Sequence, residues 1–94
     1  MLLQKEKEEL LVLWDTFINE IGDWFTRILD FQTKTNVREL FAEKSGEFVE
    51  AIIGVLGVHG LTVVLLTIEE IGRKENLPLE GFFKAYGKYL TSKG

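Results

Sequence analysis

His59 is the single histidine of this 94-residue chain, and so the one side chain whose ordinary titration range would let it carry or switch a proton near neutral pH. There is no cysteine, no second histidine and no acid beside it, so His59 cannot anchor a metal site or a nucleophilic triad within one chain. Its expected role is structural. A polar ring inside an apolar stretch needs a partner, and the His59 of a second copy would be a natural one where two copies meet. The other reactive groups are carboxylates. Glu47 and Glu50 precede the stretch, and Glu69 and Glu70 follow it. If the stretch folded back on itself, these four would gather at one end, where a divalent cation could be drawn. They read more simply as the charges that mark where burial stops, and no metal is expected.

Glu6 and Glu9, with Glu20 and Asp23, form two E-x-x-E/D pairs. The pattern resembles the carboxylate signature of all-helical nucleotide pyrophosphohydrolases, over less than a quarter of the chain, and would imply magnesium held between antiparallel helices. Such a site needs its two pairs on facing helices. Leu10 to Ile21 reads instead as uninterrupted helix, which sets Glu6 and Glu20 about 21 Å apart along one axis. The four acids are therefore expected on a solvated face. Gly54, Gly57 and Gly60 are not followed by the Lys and Ser/Thr of a phosphate-binding loop. Their spacing of three resembles the small-residue ridges of packed membrane helices but is not the four of G-x-x-x-G. The chain therefore reads as non-enzymatic, with no catalytic residue and no cofactor.

Composition narrows the class further. Residues 1–50 carry six Lys/Arg against eleven Asp/Glu, residues 51–94 five against four, and the net charge is −4. An acidic half repels phosphate, and only Lys84, Lys88 and Lys93 make the tail locally basic, so nucleic acid is not the favoured partner. Absence of cysteine suits a reducing cytosol, and the opening Met1-Leu2-Leu3 followed by Gln4, Lys5 and Glu6 lacks the pattern of a secretion signal, so a cytoplasmic location is expected. Twenty of the 26 charged residues are Glu or Lys, while Met, Asn and Gln are sparse, which points to a thermophile.

The elements that hold these groups read as helices of one domain, residues 1–94. Leu10, Trp14, Phe17, Ile21, Trp24, Ile28 and Phe31 follow steps of four and three, with Leu11, Ile18 and Phe25 as a third column, and predict one long amphipathic helix from about Gln4 to Phe31. Asn36 with Glu39 reads as the N-cap of a short helix through Phe41, ended or kinked by Ser45 and Gly46. Ala51 to Ile68 carries no charge over eighteen residues, the lower edge of what spans a bilayer. Three glycines within seven residues predict that it divides into two helical segments at a close-packed bend, buried beneath the first helix. A β-hairpin turning at Gly57 to Gly60 is the rival reading, since this stretch is rich in β-branched residues. Asn76 to Pro78 ends the following helix, and Pro78 suits the first turn of a last one carrying Phe82, Phe83, Tyr86 and Leu90 on one face.

The expectation is an all-α bundle of four to five helices with one long N-terminal helix, completed by self-association, a dimer being favoured. The wide stripe and the apolar middle together exceed what so short a chain can cover. Trp14, Phe17, Ile21, Trp24, Phe25, Ile28, Gly57 and His59 are the candidate interface residues. Another protein is a possible partner. Two alternatives stand beside this reading: a small single-span membrane protein through residues 51–68, and a nucleic-acid-associated regulatory module using Leu61 to Leu90.

Overall fold

The computed structural model describes residues 2–91, which form α1 (Gln4–Ile21), α2 (Asp23–Thr33), α3 (Val37–Glu43), α4 (Ser45–Lys74) and α5 (Glu80–Thr91). The molecule is all-α, with a radius of gyration of 12.2 Å, and α1 packs against each of the other four helices. Leu10, Leu13, Trp14 and Phe17 of α1 enter the core, where Trp14 meets Phe41 of α3 at 5.3 Å and Phe48 of α4 at 5.7 Å between ring centroids. Tyr86 of α5 stacks on Phe41 at 4.9 Å, and its hydroxyl donates 2.6 Å to the Phe41 carbonyl. That carbonyl lies in the last turn of α3, where no helical N–H reaches it, so the phenol satisfies both groups. Burial pushes the Tyr86 phenol well above its ordinary range.

The expected helix from Gln4 to Phe31 is in fact two. Gly22 sits at φ +121°, a conformation L side chains rarely adopt, and its N–H closes α1 on the Ile18 carbonyl at 2.7 Å. The Trp24 ring lies directly over Gly22, so closely that an added Cβ would stand 2.5 Å from it. The indole Nε1 then donates 3.1 Å to the Ile21 carbonyl, an unpaired group of the α1 C-terminus. The apolar spacing runs on across this break, but the face it marks does not.

Asn36 is the N-cap of α3, its side chain accepting from the Glu39 N–H at 3.0 Å. Lys44, rather than Ser45 and Gly46, separates α3 from α4, and those two residues open α4. The central stretch is helical, not a hairpin, and Gly57 kinks it at φ +82°, ψ +173°. The kink is open rather than close-packed, since a Cβ at Gly57 or Gly54 would meet no atom within 4 Å. Glycine is required there by backbone angle, not by crowding. Pro78 lies just before α5 instead of in its first turn, the helix opening with the Phe83 N–H on the Leu79 carbonyl at 2.9 Å.

A second correction concerns the acids. Glu6 is buried rather than solvated: it accepts the Leu3 N–H at 3.0 Å and the Lys84 ammonium at 2.8 Å, which together hold its carboxyl below the usual carboxylate range. Glu9 accepts the Gly81 N–H at 3.1 Å in the first turn of α5. Glu20 pairs with Lys74 at 2.9 Å, Asp15 makes two bonds to Arg38 at 2.8 and 2.9 Å, and Lys7 meets Glu43 at 2.9 Å. The polar side of α1 is thus a set of ties to α3, α4 and α5.

Candidate protein interface

Because Gly22 resets the helix direction, the residues that continue the α1 stripe turn outward in α2. Trp14 and Phe17 are core residues, 1% and 2% exposed, and are not available to a partner. Ile21, Trp24 and Ile28 are exposed, Trp24 by 56%, and Phe25 is half-buried with its ring edge on Phe17 at 5.8 Å. Leu29 is the one residue that α2 buries fully. With a single buried residue and an outer row of Trp24, Ile28 and Phe31, which Ile21 adjoins at the end of α1, α2 turns much of its apolar surface away from the core.

α4 supplies the other half of the surface. Leu61, Val64, Leu65 and Ile68 point into the core, whereas Val58, Val63 and Leu66 stand open, Val63 by 62%. Between α2 and α4 runs a groove of about 480 Å³ whose walls include Ile21, Trp24, Phe25, Leu56 and Val63. Trp24 forms its edge with its indole N–H already bonded, so the ring presents only apolar surface. Gly57 lies at the kink beside Leu56, and His59 is exposed on the outer row of α4 one turn before Val63. The structure therefore brings Ile21, Trp24 and Phe25 together with α4, and removes Trp14 and Phe17 from the candidate set.

Phe31, Leu56, Val58, Val63 and Leu66 were not among the sequence candidates. An uninterrupted apolar stretch carries no mark of which side faces water, since every position is equally suited to burial. Only the shortage of covering chain hinted at them. With Leu56, Val58, Val63 and Leu66 exposed and Ile52, Leu61, Val64, Leu65 and Ile68 buried, one side of the central stretch enters the core and the other is left uncovered within one chain.

Charge is nearly absent from this surface. From Glu50 to Glu69 α4 carries none, and on α2 Asp23 and Arg27 neutralise one another at 2.8 Å. No group of three or more His, Asp or Glu side chains among the described residues is placed to hold a metal ion. Glu47, Glu50, Glu69 and Glu70 form no such group. Ser45–Lys74 is long and apolar enough to cross a membrane by length and composition, with 28% of its most apolar window buried within the bundle. No protein-family model, curated protein or solved structure matches the chain.

Proposed function

We propose that this is a non-enzymatic protein that works by self-association, two copies meeting through the apolar face of α2 and α4 and serving as a structural, adaptor or regulatory subunit. The observation that carries the reading is the uncharged apolar surface running from Trp24 across the groove to Val63. Monomers rarely expose a contiguous apolar patch beyond roughly 300–600 Å². Aromatic rings such as Trp24 and Phe31 carry roughly 150–250 Å² each, and with the exposed parts of Ile21, Ile28, Ile53, Leu56, Val58, Val63 and Leu66 the area is of the order of the ~800 Å² each partner contributes to a standard interface. A second copy is the occupant that fits best. Two chains of net charge −4 repel one another over most of their surface, and this face is where that repulsion is weakest.

The absence of cysteine supports a reducing cytosol as its compartment, and the Lys–Glu ties between helices support a heat-adapted cell. A charge set into the groove wall tests the assignment of the face. Trp24→Glu and Val63→Glu are expected to give folded monomers by light scattering, because each would bury an unpaired carboxylate if the copies met there. Dimers of undiminished affinity in both variants would refute this face. Recovery of the wild-type protein only with detergent would favour the single-span reading instead.

A further inference from the structure

We propose that the association of two copies is switched off by protonation of His59. The inference rests on the self-association reading above and concerns its regulation. His59 shares an exposed row of α4 with Val63 and Leu66, four and seven residues on, so a second copy that covers these two also covers the imidazole. Histidine is the one side chain that ordinarily changes charge between about pH 5 and 8. Taking a cationic ring out of water beside apolar groups is unfavourable unless an acid compensates it.

Among the described residues no acid pairs with His59. On its own helix the nearest charges are Glu50, nine residues before, and Glu69, ten after. The helices packed on α4 bring several charges that are already matched, while Asp30 of α2 accepts the Val37 N–H at 2.9 Å and Glu39 of α3 and Glu80 of α5 lie outside any ion pair among the described residues. Asp23 of α2 is held by Arg27 at 2.8 Å, Glu20 of α1 by Lys74 at 2.9 Å, and Arg38 of α3 by Asp15 at 2.8 Å. α5 adds Lys84, which is held by Glu6 at 2.8 Å, and Lys88 over the Tyr89 ring, both of which would oppose a further positive charge. His59 itself makes no ion pair among the described residues. In the assembled dimer both rings are neutral, and each can serve the other as a hydrogen-bond partner if the two-fold axis passes near this row.

The sign follows from linkage. Association favours the neutral ring, so the dimer is firm above the imidazole range and weakens as pH falls through it. Two rings shed protons per dimer formed, so the dissociation constant rises by up to ~100-fold per pH unit below that range. The test is sedimentation velocity of the full chain and of His59→Gln at pH 7.5 and pH 5.5, with helicity checked by circular dichroism. The expected result is a dimer for both at pH 7.5, and at pH 5.5 a wild type weakened by at least about tenfold beside an unchanged His59→Gln. A wild-type dimer equally firm at both pH values would overturn this inference and leave the self-association reading intact. Parallel weakening of wild type and His59→Gln would also overturn it. A monomer at both pH values would overturn the self-association reading itself.

Discussion

The Trp14 side and the Trp24 side of the molecule are built from the same kinds of residue and differ in what covers them. Around Trp14, rings from α1, α3, α4 and α5 enclose one another, Tyr86 is tied by its hydroxyl, and four ion pairs join α1 to its neighbours. Around Trp24, α2 and α4 form two walls of a groove that Phe17 and Ile21 of α1 also line, and the ion pair of α2, Arg27 with Asp23, is local to that helix. Trp14 has its Nε1 buried with no hydrogen-bond partner among the described residues, whereas the Trp24 Nε1 is satisfied and its ring faces out. Apolar residues, then, do not by themselves distinguish a core from an interface. The change comes at the α1–α2 break, where Gly22 ends the helix that buries Trp14 and Phe17 and begins the one that exposes Trp24, Ile28 and Phe31.

The contrast predicts unequal costs. Trp14→Ala removes a fully buried ring and is expected to destabilise by about 3–5 kcal/mol, while Trp24→Ala costs less than about 1 kcal/mol when urea denaturation is followed on dissociated chains. Equal losses would erase the distinction between the two sides. Gly22→Ala and Gly57→Ala come next, at about 1–3 kcal/mol each, because both need positive φ. Gly22→Ala also drives the Trp24 ring off its seat, so its indole fluorescence should change where that of Gly57→Ala does not.

Tyr86→Phe leaves the Phe41 carbonyl buried without its donor, and thermal unfolding should report a loss of about 1–2 kcal/mol. The smallest effect concerns Glu6. Its carboxyl is held below its ordinary value of 4.5 by Lys84 and the Leu3 N–H, so the stability it adds is complete above that value and is lost as pH falls beneath it. Glu6→Gln should flatten that part of the acid limb of the stability profile, and an unchanged limb would show that the pair contributes nothing measurable.

Much of the fold was legible because its signals are local. Asn36 with Glu39, the glycine cluster around Gly57 and the turn at Asn76 each mark a helix boundary within a few residues. Gly22 was not legible. Apolar spacing continues across it, and a lone glycine inside a helical pattern costs only about 1 kcal/mol, so nothing nearby contradicts an unbroken helix. Glu6 could not be placed either, since its partner Lys84 lies 78 residues away. Of the candidate site, Ile21, Trp24, Phe25 and Ile28 came from the aromatic stripe. Val63 and Leu66 did not, because burial in an all-apolar helix is decided by how many neighbours the rest of the chain can supply.

The central claim is that the uncovered side is covered by a second copy. Light scattering on the full chain at pH 7.5 without detergent, over a range of concentrations, tests it most directly. A soluble particle of twice the 10.8 kDa chain mass is the predicted result, and a soluble particle of 10.8 kDa at every concentration would contradict it.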